Sequence, residues 1–151
     1  MMRRADRERD FDFAAQVVKE SDYATVSFTG DAYAVPFTPL WHDGAIYMHC
    51  ANEGEKLERI KANPRVCISA VSQAVAKPGK FGLDYKSAIF FADAKIVTDP
   101  DEKMKVLVAI AARHAPTLPD RMEKYARGLF DRATLVRFEI VSGTGKQCVI
   151  K

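Results

Sequence analysis

The chain has 151 residues, 48% hydrophobic and 28% charged, which excludes intrinsic disorder and allows a packed core without disulfide or metal staples; the length predicts one domain over 1–151. The net charge of +3 comes from 23 basic and 20 acidic residues that are interleaved, as with Arg3, Arg4, Arg7 and Arg9 among Asp6, Glu8 and Asp10. That pattern excludes the one-sided basic stripe with stacking aromatics of a nucleic-acid binder and leaves room for a small anionic ligand.

Phe11 to Glu20 predicts a helix, with Phe11, Ala14, Ala15 and Val18 on one face and Asp10 as N-cap. The period then drops to two: Ala24, Val26 and Phe28 alternate with Thr25, Ser27 and Thr29, a half-buried strand. Gly30-Asp31 turns the chain into a second strand, Ala32 to Leu40, which Pro36 and Pro39 confine to an edge, a bulge or an irregular path. His42-Asp43-Gly44 is the next turn and Ala45 to Ala51 a third strand, giving two hairpins in series. A short helix follows, with Leu57 and Ile60 as its apolar stripe and Asn63-Pro64 as its stop. Arg65 to Val75 and Tyr85 to Val97 are strands around a Lys77–Lys80 loop. Asp99-Pro100 opens a strong helix that buries Met104, Leu107, Val108 and Ala111 and ends at Pro116. Pro119-Asp120 opens another, with Met122, Tyr125, Ala126 and Leu129 inward. The last strand is expected over Thr134 to Ser142, with Gly143-Thr144-Gly145-Lys146 as a turn before the tail. Strands dominate without β-α-β alternation, so a small antiparallel barrel with helices packed outside is expected.

Cys50, Cys67 and Cys148 are widely spaced and odd in number, the pattern of a reducing compartment rather than of a disulfide framework or a zinc site. No apolar run approaches the ~18 residues of a membrane span. No signal-peptide core follows the first methionines, and acidic residues begin at once, against a transit peptide. The expectation is a cytoplasmic protein. No two histidines have metal-ligand spacing, so no metal site is predicted.

The most informative stretch is Ile46 to Pro64. A strand ends in His49-Cys50-Ala51, and after a short loop a helix begins with Gly54 and Lys56 in its first turn. Free N–H groups and the helix dipole make such a start an anion site, Gly54 lets a ligand approach the backbone, and Lys56 adds a point charge. Glu53 and Glu55 oppose this unless they face solvent; the other reading is a plain surface helix.

These residues resemble a known signature. Ile46-Tyr47-Met48-His49-Cys50-Ala51, then Gly54-x-Lys56-Leu57, Ile60 and Asn63-Pro64-x-Val66, is similar to the FMN-binding split barrels related to pyridoxamine 5'-phosphate oxidase, in which a Ser-Arg-Lys helix start follows a strand and an Asn-Pro ends the helix. The nearer resemblance is to the nitroimidazole-resistance, nitroreductase-like branch. It rests on Met2-Arg3-Arg4-Ala5-Asp6-Arg7, the run His49, Ala51, Gly54 and Lys56, the strand start Tyr85-Lys86-Ser87-Ala88, and the late Gly145-Lys146.

The resemblance implies an antiparallel, six-stranded, Greek-key-like split β-barrel that works as a homodimer, with FMN in a groove between subunits and a small-molecule substrate. Lys56 would meet the phosphate, with His49, Cys50 and Ala51 at the strand end and Ser87 reaching it from a neighbouring strand. Val35, Pro36, Phe37 and Thr38 would run along the isoalloxazine ring, and the partner's C-terminal region would close the site. The chain departs from the oxidases where Gly54 and Glu55 replace Ser and Arg, where Cys50 replaces Thr, and where no arginine stands between Tyr33 and Leu40. Phosphate neutralisation is therefore thinner, which keeps haem or a deazaflavin open as alternatives. The oxidases' substrate-binding Arg and His near the C-terminus have no match, so pyridoxamine phosphate oxidation is not expected.

His49 is the sharpest single candidate, able to bind phosphate, orient substrate or donate a proton. His114 reads as structural, a cation suited to a helix C-terminus, and His42 as a surface residue. No residue is assigned a catalytic role. The leading expectation is an FMN-dependent oxidoreductase acting on a small molecule. The alternative is a flavin or haem carrier or sensor without turnover of its own, with His49 as ligand or anchor.

Overall fold

The structure, a computed structural model, describes residues 3–150; Met1, Met2 and Lys151, which belong to the predicted 1–151 domain and, for Met2, to the N-terminal motif, lie outside the described residues. After a 3-10 turn at Ala5–Arg7 and a two-residue strand β1 (Glu8–Arg9), the Asp10 carboxylate caps helix α1 (Phe11–Glu20) by accepting the Phe13 backbone N–H at 2.9 Å. Strand β2 (Ala24–Phe28) alternates as predicted, burying Ala24, Val26 and Phe28.

The predicted Ala32–Leu40 strand is two strands. β3 (Ala34–Phe37) pairs with β2, whereas β4 (Leu40–His42) pairs with β5 (Ala45–Cys50). Pro39 stands in the break, where it has no N–H to give a ladder. The β4–β5 turn places Asp43 and Gly44 at φ 46° and 76°, the double positive φ of a tight hairpin. Helix α2 (Glu55–Ala62) ends at Asn63, and β6 (Arg65–Lys77) and β7 (Gly82–Ile96) form a long hairpin. α3 (Pro100–His114) and α4 (Pro119–Phe130) precede the last strand, β8 (Thr134–Cys148).

The eight strands of the described residues form one antiparallel sheet in the order β3-β2-β6-β7-β8-β5-β4, with β1 added on β8. Beyond the six expected, β1 and β4 are only two and three residues long. β3 and β4 stand at opposite ends of this order, yet only Thr38 and Pro39 separate them in the chain. The sheet must therefore curl until its ends nearly meet, and with no β3–β4 ladder the barrel stays split along the Thr38–Pro39 seam. Inside lie Val26, Ile68, Phe90, Val136 and Phe138, plugged by Ala14, Val17 and Val18 of α1. A second cluster forms outside, where Leu40, Tyr47 and Leu135 meet Val106, Leu107 and Ile110 of α3 and Ala126 of α4. β5 is thus covered on both faces.

Three further expectations need correcting. Gly143–Lys146 is no turn: β8 continues to Cys148, with Gly145 opposite Ala88 and Lys146 opposite Ser87. A Cβ at Gly143 would run into the Phe90 ring and one at Gly145 into the Phe13 ring, so these glycines let aromatic rings lie against a strand. In α3, Leu107 and Ala111 are buried with Val106 and Ile110, while Met104 and Val108 are only partly covered. In α4 only Ala126 is buried; Met122 and Leu129 are partly covered and Tyr125 stays 50% exposed. No described helix is long and apolar enough to cross a membrane.

Candidate functional site

β5 delivers its last residues to two different places. Ile46 and Met48 point into the barrel and Tyr47 out toward α3, so alternation sends His49 outward and Cys50 inward. His49 is half-buried, and its pKa lies below the usual histidine value, first because burial disfavours the cation and then because of the charge of His114. It is therefore a neutral imidazole at neutral pH. Cys50 packs against the barrel core, and burial raises its pKa, with Lys56 pulling the other way, so it is a thiol rather than a thiolate nucleophile.

The loop after β5 is pinned to the start of β8: Asn52 Nδ2 donates to the Asp131 carbonyl at 2.8 Å, and Thr134 Oγ1 donates to Asn52 Oδ1 at 3.0 Å. Ala51 is exposed on this loop. Gly54 takes φ 124°, a conformation that favours glycine, and starts α2 with no side-chain cap. Its carbonyl accepts the N–H groups of Leu57 and Glu58 at 3.0 and 3.3 Å, which leaves those of Glu55 and Lys56 among the free amides of the first turn. Nothing lies within 4 Å of where a Gly54 Cβ would stand. Glu55, which the sequence sets against an anion here, is held by the Arg59 guanidinium at 2.7 and 2.8 Å. Arg59 is itself anchored on the Tyr33 ring and the Asp31 carbonyl. Among the described residues Lys56 has no carboxylate partner. An open glycine, free amides and an unspent ammonium fit a phosphate.

The segment Val35 to Thr38 does not present one continuous surface. Phe37 is buried against Phe138, with ring centroids 5.7 Å apart, and Val35 packs partly into the core. Pro36 is exposed on the outer side. Thr38, at the seam, lines a polar pocket of about 450 Å³ with Lys19, Glu20, Asp22, Tyr23, Arg113 and His114. His114, read from sequence as structural, thus stands in a pocket wall and within electrostatic reach of His49. Sequence offers no sign of this, because only the fold brings β5 and the end of α3 together.

Ser87 stands apart. Cys50 pairs with Thr134, and Ser87 pairs with Lys146, twelve residues further along β8, roughly 40 Å of extended strand. One chain therefore keeps His49, Cys50, Ala51 and Lys56 within one β5–α2 connection, with His49 and Cys50 on opposite faces of the strand end, and leaves Ser87 on the outer face of β7. Among the described residues, no three His, Cys, Asp or Glu side chains gather to hold a metal ion.

A family model described as pyridoxamine 5'-phosphate oxidase matches residues 12–147. The chain belongs to the pyridoxamine 5'-phosphate oxidase family. Solved structures share the split-barrel fold of this family member. A flavocytochrome from Azotobacter vinelandii matches 99% of this chain and 72% of its own at 13% identity and a TM-score of 0.82. A FAD and haem binding protein from Mycobacterium smegmatis matches 93% of this chain and 73% of its own at 16% identity and a TM-score of 0.75. A protein described as a 5-nitroimidazole antibiotic resistance protein, from Bacteroides thetaiotaomicron, matches 92% and 84% at 21% identity and a TM-score of 0.66. At these identities the likeness establishes the fold. No curated protein matches the chain in sequence.

Proposed function

We propose that this family member is a single-domain flavoprotein of the cytoplasm that binds FMN between two copies of itself and uses it as an oxidoreductase on a small organic molecule. The observation that carries the reading is the separation of Ser87 from Lys56. The signature residues form one site only if a second copy brings its Ser87 to the Lys56 loop. Ser87 also lies on a face suited to that contact: exposed Val71 stands opposite it on β6, and exposed Ile89, Phe91 and Val141 continue the apolar strip along β7 and β8.

In this reading the Lys56 ammonium and the first amides of α2 hold the phosphate, and Gly54 lets it reach them. Neutral His49 and the Cys50 thiol add no charge beside it, and Thr38 at the barrel seam orients the ring. A bound flavin supplies the hydride or electron transfer. Family membership supports a flavin in general. The FAD proteins among the structural neighbours make FMN against FAD a question for the chromophore itself.

The test is the absorption spectrum of freshly purified protein, followed by heat release and chromatography of any chromophore. Released FMN and bleaching by a nicotinamide donor are expected; a colourless protein that takes up no added flavin overturns the reading. A second reading, a carrier that holds haem without turnover, is favoured by the approach of His49 to His114 and by no other contact. Haem bands that disappear in His49→Ala would select it.

A further inference from the structure

We propose that the cavity between α3 and α4 binds a small apolar organic anion, a carboxylate or phenolate carried on a single aromatic or branched hydrocarbon frame. The cavity measures about 290 Å³, at the lower edge of the roughly 300–1,000 Å³ usual for ligand pockets, which limits the ligand to about one ring. Its floor is apolar: Ala111, Ala115 and Met122 line it, and Leu118 and Tyr125 flank it while remaining 45% and 50% exposed. α4 therefore turns an apolar face to this hollow instead of burying it.

Charge decides the class of ligand. The polar groups in the wall are His114, Arg121 and the Tyr125 hydroxyl, of which Arg121 carries a permanent positive charge. Arg121 lies in the first turn of α4, where the helix dipole disfavours a cation, and among the described residues no carboxylate pairs with it. On the same helix Arg127 is paired with Glu123, so a partner for an arginine is within the means of this sequence. A neighbouring cavity that shares Arg121 and Tyr125 adds Lys124 and Arg132, and no acidic residue lines either one. A ligand anion would give Arg121 the partner that the fold withholds, and the hydrocarbon frame would cover the floor.

His114 walls both this cavity and the polar pocket that contains Thr38. An anion bound here would sit one imidazole from the groove assigned to the flavin, and so would be the substrate or a product of the reaction. That last link rests on the proposed function; the binding site does not.

The test is titration calorimetry of the full chain, as purified, with benzoate and with its neutral counterpart benzamide, while the flavin band records cofactor content. Benzoate is expected to bind about tenfold or more tightly than benzamide. Arg121→Gln should erase that preference, Arg127→Gln should leave it, and Met122→Trp should weaken both probes by filling the floor. Circular dichroism confirms that each variant is folded, and Arg121→Lys, which should retain part of the preference, serves if Arg121→Gln is not. Equal binding of the two probes, no binding, or a preference that survives in Arg121→Gln overturns the proposal. So does a change of molecular mass in Met122→Trp without benzoate binding, which would make the cavity a contact between copies. Arg121-dependent benzoate binding in a protein that takes up no flavin would keep the site and sink the oxidoreductase reading; flavin without benzoate binding would do the reverse.

Discussion

The two faces of β6, β7 and β8 differ less than the faces of a half-buried sheet should. On the inner face Ile68, Phe90 and Phe138 have no exposed surface, and Ala70, Ala88 and Ala92 have almost none. An antiparallel sheet with one wet face normally carries polar residues on it. Here the outer face holds Val71, Ile89, Phe91 and Val141, each about half exposed, at 46–53%. Small residues flank the large ones: Phe91 stands between Cys67 and Ser142, and Ile89 between Ser69 and Thr144. Knobs beside hollows suit a surface that pairs with itself about a two-fold axis. The inner face holds one chain together, and the outer face carries the exposed apolar side chains that the proposed dimer would cover.

Phe90 and Phe91, neighbours on opposite faces, separate the two roles. Phe90→Ala should cost about 3–5 kcal/mol of folding stability, read from urea unfolding, because it empties a fully buried ring site. Phe91→Glu should leave the monomer folded and weaken association by about 2 kcal/mol or more, read by light scattering across a dilution series. Similar unfolding midpoints in the two variants at low protein concentration would erase the distinction. Within the site, Lys56→Ala should weaken flavin binding by about 1.5–3 kcal/mol, measured by fluorescence titration, with the unfolding of the flavin-free protein unchanged. Ser87→Ala removes one neutral hydroxyl and should cost about 1 kcal/mol of flavin affinity. It should do so only at concentrations where the protein is dimeric.

The smallest effect is local. The Asp84 carboxylate accepts the Ile150 N–H at 2.7 Å and pairs with Lys77 at 2.8 Å, and these, the N–H first, hold its pKa below the usual 3.8. A depressed carboxylate pKa stabilises above the unfolded value and ceases to do so as pH falls through the folded one. Amide exchange at Ile150 should therefore be protected above about pH 4 and lose that protection at a pH below the depressed folded value, itself under 3.8, while Phe90 stays protected. Equal protection at both pH values would show that this clamp does not hold the tail.

Features set by neighbours in the chain were legible in the sequence. Asp10 and Asp99 cap where a carboxylate can accept a free N–H of the first helical turn, Asn63-Pro64 stops α2, and the alternation of Ala24, Val26 and Phe28 defines β2. The motif run from His49 to Lys56 is local, so its residues stay close in the fold, at the end of β5 and the start of α2. Features set by distant segments were not legible. Gly143 and Gly145 look like turn residues until Phe90 and Phe13 are known to lie against them. The distance from Lys56 to Ser87 depends on the β7–β8 register, which motif spacing does not carry. His114 has the residue type of a helix C-terminus and the surroundings of a pocket wall, and only the second requires the fold.

In the proposed assembly the flavin is held between two copies that meet through the outer β6–β7–β8 face. Sedimentation velocity recorded in the flavin's visible band, with wild type and Phe91→Glu side by side, tests it most directly. The account predicts a coloured dimer for wild type and a colourless, folded monomer for the variant. A monomer that keeps its flavin would contradict it.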